Sequence, residues 1–507
     1  MNPVVKTTHG SVMGELRGDV AIFRGIPYGG SCEGEHRFLP PRPAENWEGI
    51  KDCTKNGPIA MQFGGSISGS QGLGPYFSGN EPEKFGTADE KHGENCLLLN
   101  VLTPGTDDKK RPVLVYFHGG GFATGTGSIV LGSDKLVSEE DIVIVGVNHR
   151  LNVFGYLYLG AIDEKYAESG MAGILDLVLS LEWVRDNIAA FGGDPDKVTI
   201  MGESGGGAKV STMLALPRAK GLFHHAIVES GSNPAGTVTR ESAAETARKL
   251  MSELGLAEND IDGLLKTPAY ELLKASAKQP GFSFSPVPDD INLMYNPALN
   301  FAPETARDIP VMVGASEDEM AVFMPPQAFD VTWDTLPEKL IQRGIPADRV
   351  HEYIETYRRT GKSSNDAAHT FMYIVSTEGI LGWNAHLQAQ ALAKQGGAPV
   401  YQYLVRYDAP HPLMPGVDIA WHTADLPLQF RIVPHPELEE LSRTYARAWA
   451  AFVRTGNPST AELPWPAYTT AAPCVMIFDD ICHIEHEPLA PIIALHDCPA
   501  PHRMEEF

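Results

Sequence analysis

Residues 198–216 read VTIMGESGGGAKVSTMLAL. The apolar run at the start is typical of a buried strand, and the final run is compatible with a helix. Between them, residues 202–206 (GESGG) fit the pattern G-x-S-x-G, whose small residues permit a tight strand-to-helix turn. Such a turn lifts a serine hydroxyl out of the backbone as an exposed nucleophile. The stretch therefore predicts a nucleophilic Ser204, and the alternative is a glycine-rich turn with only a structural role.

A second glycine-rich segment, HGGGF at residues 118–122, follows the apolar run VLVYF. Backbone N–H groups in such a turn can approach a reacting carbonyl closely, because glycine has no Cβ. The N–H groups of Gly120 and Gly121, together with that of Gly205 just after the nucleophile, are predicted to stabilise the oxyanion of a tetrahedral intermediate. Residues 118–121 are called the HGGG loop below.

Neither glycine-rich segment predicts a nucleotide site. The phosphate-loop pattern G-x-x-x-x-G-K-[ST] fails because Ala208 stands where the lysine should be. The dinucleotide pattern G-x-G-x-x-G fails in the HGGG segment because Thr124 stands at the third glycine position. We therefore expect no nucleotide cofactor.

Short β-branched runs alternate with amphipathic segments along the chain, which predicts an α/β fold with a mainly parallel sheet. Most of these runs are continuously apolar, as strands covered on both faces must be. Residues 174–191 form a helical segment with apolar residues spaced for one face. The strand runs begin at Val113, Ile142, Val198, Ala226, Pro310, Val400 and Cys474.

Two zones depart from this alternation. Residues 62–95 are rich in Gly, Ser and Asn and are predicted to form a long mobile surface loop. Helical insertions are expected at about residues 240–276 and 336–395, as a lid or wall over the edge of the sheet. No internal repeat or linker divides the sequence, so we expect a single domain over residues 1–507.

The charge balance limits the partners. The chain has 507 residues, with 40 Lys and Arg against 64 Asp and Glu, and a formal net charge of −24. Such a chain repels nucleic acid and anionic membrane surfaces, so a neutral or weakly cationic small molecule is the expected partner. No apolar run approaches the roughly 20 residues that span a bilayer, and the first residues lack a secretory pattern. We therefore expect a cytoplasmic protein.

Seven segments carry a family resemblance: FRGIPYG (residues 23–29), ENCLLLNV (94–101), HGGGF (118–122), NHRLNVFGYL (148–157), LEWVRDNIAAFGGDPDKVTIMGESGGG (181–207), GASEDE (314–319) and AWHTADLPLQF (420–430). Together they resemble the type-B carboxylesterases, the cholinesterase/carboxylesterase family of α/β-hydrolases, and within it the bacterial p-nitrobenzyl esterase type. The resemblance implies the α/β-hydrolase fold, with a large mainly parallel central sheet flanked by helices and helical insertions over the site. It also implies a serine esterase that works without a cofactor.

A nucleophilic serine needs a base, and the base needs an orienting carboxylate. Residue patterns alone leave Glu317, Asp318 and Glu319 as rival acids after the strand at Pro310, and the 17 histidines as rival bases. The family resemblance implies Glu319 as the acid and His422, in AWHTADLPLQF, as the base.

The resemblance also gives Glu203 a supporting role as a buried glutamate beside the nucleophile. The alternative is a carboxylate that interacts favourably with the positive end of the helix dipole.

Two departures from the family pattern stand out. Gly205 replaces the usual Ala, for which we expect a slightly looser turn, and Ala60 replaces the cysteine that pairs with the equivalent of Cys96 in many relatives. Cys96 is therefore expected to stay unpaired, as in a reducing compartment.

Metal binding is not expected. The stretch CHIEH at residues 482–486 alternates like an edge strand, the six cysteines lack CxxC spacing, and serine esterase chemistry needs no metal.

We therefore predict a carboxylesterase that hydrolyses small to medium carboxylic esters through an acyl-enzyme intermediate, as a monomer or weak homo-oligomer. The alternatives are the same triad acting on amides, carbamates or lipid esters, and a non-catalytic relative of the adhesion type.

Overall fold

The computed structural model describes residues 2–63, 91–232, 238–295, 301–362, 365–378, 381–433 and 435–495. Within these residues a large mixed sheet runs through the molecule. Its strands are β1 (Glu15–Arg17), β2 (Val20–Pro27), β3 (Leu98–Thr103), β4 (Arg111–Phe117), β5 (Val143–Val147), β6 (Gly193–Glu203), β7 (His225–Glu229), β8 (Val311–Ser316), β9 (Val400–Val405), β10 (Cys474–Phe478) and β11 (His483–His486).

The strand order from one edge to the other is β11-β10-β9-β8-β7-β6-β4-β5-β3-β2-β1. Strands β4 to β10 pair in parallel with their neighbours within this group. Strands β1 to β3 and β11 add to the edges in antiparallel fashion. Every parallel strand corresponds to one of the apolar runs, so the prediction of a mainly parallel central sheet is confirmed.

Shorter strands lie outside this sheet. Val4–Lys6, Ser11–Met13 and Ile50–Asp52 form one small sheet, Ile59–Ala60 pairs with His92–Gly93, and Ala409–Pro410 pairs with Asp418–Ile419.

The two faces of the central sheet support separate hydrophobic cores. On β4, Val113, Val115 and Phe117 pack into one core, while Leu114 and Tyr116 pack into the other. Successive side chains of a strand point to opposite faces, so a strand covered on both sides must be apolar throughout. This is why the strand runs lack polar alternation.

Helices cover both faces. They are α1 (Asp134–Glu140), α2 (Asn152–Tyr156), α3 (Ala172–Asn187), α4 (Gly205–Leu214), α5 (Arg240–Glu253), α6 (Ile261–Lys266), α7 (Ala269–Ser276), α8 (Leu336–Gln342), α9 (Val350–Thr360), α10 (Ala367–Glu378), α11 (Leu381–Gln395), α12 (Leu426–Gln429), α13 (Glu439–Thr455) and α14 (Ala490–Ile493). Among the helices of the described residues, none combines the length and the apolarity that crossing a bilayer requires.

The two regions expected to be helical insertions do contain helices. In the first, α5 to α7 contribute Leu250, Leu264 and Leu272 to a third hydrophobic cluster shared with Val153 and Phe154 of α2. In the second, α10 packs against a 3-10 helix, Glu319–Phe323, and α11 packs against β8 and β9. Most of the predicted loop at residues 62–95 lies outside the described residues.

The topology brings distant segments of the chain to one edge of the sheet. Glu203 at the end of β6 pairs in register with Glu229 of β7, which pairs with Gly314 of β8. The residues that follow these strands are tied together as well, because Ser204 N donates to Glu229 O at 2.9 Å and Ser230 N donates to Gly314 O at 2.8 Å. Sheet enzymes place their reacting groups at this carboxyl edge.

Candidate active site

Ser204 lies in the turn between β6 and α4. Its backbone has φ 58° and ψ −126°, a conformation that costs a residue with a side chain on the order of 1–3 kcal/mol. The turn is tight, because a Cβ on Gly202 would lie 2.9 Å from Gly206 Cα and closer still to its carbonyl group. The glycines at positions 202 and 206 therefore allow the strained turn that the sequence pattern predicts.

The HGGG loop lies directly beside Ser204. A Cβ on Gly119 would be 3.3 Å from Ser204 Cβ, and Gly120 and Gly121 have φ values of 86° and 63°. Among the hydrogen bonds of the described residues, none uses the backbone N–H of Gly120, Gly121 or Gly205 as its donor. Three donors beside one serine are therefore available to an anionic oxygen.

Glu319 and His422 are in contact in the buried interior. Glu319, at the start of the 3-10 helix after β8, accepts hydrogen bonds from Ser316 N at 2.8 Å, from Ser230 Oγ at 2.5 Å and from His422 Nδ1. A backbone hydrogen bond from Asp318 N to Ala420 O, 3.1 Å long, holds the loop of the acid against the loop of the histidine. A carboxylate that accepts from Nδ1 selects the tautomer in which Nε2 of the neutral imidazole carries the lone pair.

Of the two rival acids, Glu317 has other partners. Glu317 accepts hydrogen bonds from Lys362 N at 2.9 Å and from the guanidinium of Arg406. Burial raises the pKa of Asp318 well above its usual range. Of the three clustered carboxylates, the structure brings Glu319 to His422.

The carboxylesterase family model matches residues 1–488 of the chain. The chain belongs to this family. It is 35% identical to para-nitrobenzyl esterase of Bacillus subtilis, over 96% of each chain, and 31% identical to liver carboxylesterase 1 of Oryctolagus cuniculus, over 92% of this chain and 88% of that one. A carboxylesterase structure from Geobacillus stearothermophilus superimposes with a TM-score of 0.81 at 34% identity, covering 97% of this chain and 99% of the other.

Family and structural similarity together confirm two predictions. The molecule has the α/β-hydrolase fold, and it is a serine carboxylesterase that hydrolyses carboxylic esters. Within the part of the chain that the structure describes, no group of three His, Cys, Asp or Glu side chains is arranged to hold a metal ion.

Glu203 gives the site of this carboxylesterase a feature that the sequence did not predict. His422 Nε2 lies 3.2 Å from Glu203 Oε1, as an ion pair without hydrogen-bond geometry. No hydrogen bond between described residues joins Ser204 Oγ to His422. In structures without substrate, catalytic hydrogen bonds are often long or misaligned. The imidazole therefore has a carboxylate at each nitrogen in this structure.

Burial and charge together shift the pKa values of these groups. Burial lowers the pKa of His422, but the Glu203 and Glu319 carboxylates outweigh this effect and raise it to about 9. Burial raises the pKa of Glu203 to about 8, although His422 opposes the shift. The two carboxylates, where ionised, thus favour the protonated form of the imidazole.

Ser230 and Asp425 are polar groups near Glu319 and His422 that the sequence did not predict. Ser230 directly follows β7 and donates to Glu319. Asp425 is buried three residues after His422, accepts from Gln429 Nε2 at 2.8 Å, and has its pKa raised by burial to about 7. Position at the end of a parallel strand was the one available signal for Ser230.

Two exposed aromatic side chains border the site. The ring centroid of Phe323 lies 5.2 Å from that of His422, and a Cβ on Gly121 would lie 3.5 Å from Phe282 Cε1. Each of the two phenylalanines is 47% exposed. Apolar rings at the HGGG loop and at the histidine suit an ester with an apolar acyl or alcohol group.

Proposed function

We propose that this carboxylesterase hydrolyses small to medium carboxylic esters through an acyl-enzyme intermediate on Ser204. The observation that carries the proposal is the buried contact between Glu319 and His422 Nδ1, beside the strained Ser204 turn. In the proposed reaction, His422 Nε2 accepts the proton of Ser204 Oγ while that oxygen attacks the ester carbonyl carbon. For this step Nε2 moves from Glu203 to Ser204.

The HGGG loop has a defined role in this proposal. The carbonyl oxygen of the ester becomes an oxyanion, which accepts hydrogen bonds from the N–H groups of Gly120, Gly121 and Gly205. The tetrahedral intermediate then expels the alcohol, which takes the proton from His422. A water molecule, deprotonated by the same imidazole, attacks the acyl-enzyme and releases the carboxylic acid. Glu203 supports the cationic imidazole electrostatically.

We further propose a single domain over residues 1–507, acting in the cytoplasm as a monomer or weak homo-oligomer. One chain supplies every residue assigned to the reaction. The cysteines of the described residues, Cys32, Cys53, Cys96, Cys474 and Cys482, are all unpaired, which is typical of proteins in reducing compartments.

The test is hydrolysis of p-nitrophenyl esters from acetate to palmitate by the wild type and by Ser204→Ala. The wild type is expected to have its highest kcat/KM on short to medium acyl chains, and Ser204→Ala is expected to lose at least about 10⁴-fold in kcat. Ser211→Ala is a matched control, because Ser211 is buried on the same helix and donates to Gly231 O at 3.0 Å. Hydrolysis by Ser204→Ala at the wild-type rate would refute the proposal, and a palmitate optimum would refute its substrate range.

A further inference from the structure

Lys209 on α4 is completely buried, with 0% of its surface exposed. It lies one helical turn after Gly205, and helical side chains lean toward the N-terminus of their helix. Its Nζ thereby reaches the HGGG loop, where it donates to His118 O at 3.0 Å and to Gly121 O at 2.8 Å. A single side chain holds both the first and the last residue of the loop.

The two carbonyl groups are the hydrogen-bond acceptors of the Lys209 amine among the described residues. No ion pair of the described residues includes it, and the Phe122 ring centroid lies 5.4 Å from Nζ. The titratable groups around it are Glu203 and the stacked pair His118 and His149, and burial lowers the pKa of His118 to about 3. Burial also lowers the pKa of Lys209 to about 7, opposed by Glu203. An ammonium has three N–H donors and an amine two, so both carbonyls stay held in either state.

Holding the carbonyls of this loop sets the direction of its N–H groups. In a trans peptide the C=O and the following N–H point in opposite directions. The peptide that carries the Gly121 N–H is fixed through Gly120 O, which accepts from Ala123 N at 3.2 Å and Thr124 N at 3.1 Å. Lys209 fixes the peptides at the two ends of the loop, through His118 O and Gly121 O. Consecutive glycines are otherwise the most mobile backbone available. The turn thus directs the N–H of Gly121 opposite to Gly120 O, and Lys209 holds the loop in this conformation from both of its ends.

Gly205 provides the space for this arrangement. A Cβ at position 205 would lie 2.5 Å from both Gly121 N and Gly121 Cα, and closer still to Gly121 O. Real Cβ atoms do not approach other atoms this closely, so an alanine would push Gly121 away from Lys209. The glycine thus lets the loop reach the position in which Lys209 holds it.

We propose that Lys209 is a positioning residue of the oxyanion hole, which ties the HGGG loop to the nucleophile helix through His118 O and Gly121 O. Gly205 contributes to the same arrangement by leaving space for Gly121 beside α4. This inference rests on the proposed function, which assigns the oxyanion to Gly120, Gly121 and Gly205. Lys209 does not touch the ester, so replacing it should reduce the stabilisation of the transition state and leave substrate binding nearly unchanged.

The first variant to test is Lys209→Met, which keeps the length of the side chain but has no donor. We expect kcat for p-nitrophenyl butyrate to fall by about 10- to 100-fold, with KM changed by less than about threefold. A trifluoromethyl ketone forms an oxyanion adduct with the serine, so its inhibition constant should rise in proportion to the loss of kcat/KM. Lys209→Gln retains an N–H₂ group on a shorter arm and should recover part of both losses.

Thr212→Val is the matched control, because Thr212 is buried on the same helix and donates only to Ala208 O, at 2.8 Å. It should lower the melting temperature without changing kcat or the ketone inhibition constant beyond about twofold. A Lys209→Met enzyme with wild-type kcat and ketone inhibition would overturn the inference. So would equal losses in Thr212→Val, since these would show a general effect of disturbing α4.

Gly205→Ala tests the same contact from the other side and keeps the inference testable if Lys209→Met does not fold. The double variant Gly205→Ala/Lys209→Gln should lose no more kcat than about the worse of the two single variants, because both substitutions act on Gly121. If the two losses of kcat multiplied in the double variant, the two residues would act independently, which would contradict the inference. The outcomes also separate the two claims: an active Ser204→Ala rejects the proposed function itself, whereas an inactive Ser204→Ala with unimpaired Lys209 variants rejects only the role of Lys209.

Discussion

Replacing Glu203 by Gln is expected to move the acidic limb of the pH profile of kcat/KM toward lower pH. His422 must be neutral to accept the proton of Ser204, so kcat/KM rises as the pH passes the pKa of the imidazole. The Glu203 carboxylate favours the charged imidazole and raises this pKa. Removing its negative charge favours the neutral base, and the limb therefore shifts down.

The size of the shift follows from the contact between the two side chains. Nε2 and Oε1 are 3.2 Å apart, and unit charges at that distance attract by about 5 kcal/mol at an effective dielectric constant of about 20. Each pH unit corresponds to about 1.4 kcal/mol, which makes roughly three to four units an upper bound. Burial raises the pKa of Glu203 to about 8, so part of this attraction is absent where Glu203 is protonated. With Glu319 still in place, we expect a shift of about one to two pH units.

The assay is pH-stat titration of a short-chain ester between pH 5.5 and 10, which needs no chromophore. In the wild type the acidic limb of kcat/KM should lie near pH 9, because the pKa of His422 in the free enzyme is raised to about 9. Glu229→Gln is the matched control, because Glu229 is a buried carboxylate on the neighbouring strand that accepts from Trp449 Nε1 at 2.8 Å. It should leave the limb in place. A Glu203→Gln limb at the wild-type pH, or above it, would refute the reasoning.

Three other changes test separate parts of the structure. Glu319→Gln should keep the fold but lower kcat by about 10⁴-fold, because an amide no longer selects the productive tautomer of His422; kcat within tenfold of wild type would contradict that role. Asp176→Asn should lower the free energy of unfolding in urea by about 3–5 kcal/mol. Arg150 pairs with Asp176 at 2.6 Å in the interior, so the substitution leaves the guanidinium buried without its counter-charge. A loss below about 1 kcal/mol would contradict this reasoning. Dithiothreitol should leave the melting temperature unchanged to within about 1 °C, since the described cysteines are unpaired, and a clear drop would reveal a disulfide.

Local sequence predicted the central sheet and the Ser204 turn because both depend on neighbouring residues. Continuous apolar runs identify strands that are buried on two faces, and G-x-S-x-G specifies a turn in which larger side chains would collide. The short edge strand Glu15–Arg17 gave no comparable signal, because three residues are too few to show a period.

The acid and the base needed the family resemblance. Glu317, Asp318 and Glu319 are consecutive, and only the path of the loop after β8 decides which of them meets His422. The contact between Glu203 and His422 joins strand β6 to a loop about 220 residues further along the chain, and periodicity carries no information about such pairs. The close packing of Gly205 against Gly121 could not be predicted either, because the two residues are far apart in the sequence.

Covalent labelling with an organophosphate tests the assignment of the nucleophile most directly. The reagent phosphorylates an activated serine and cannot be released by the normal deacylation step. We predict that one equivalent abolishes ester hydrolysis and that peptide mass spectrometry finds the phosphoryl group on Ser204, with no labelling of Ser204→Ala. Full inactivation with the label on another residue, or full activity after complete labelling of Ser204, would contradict the account.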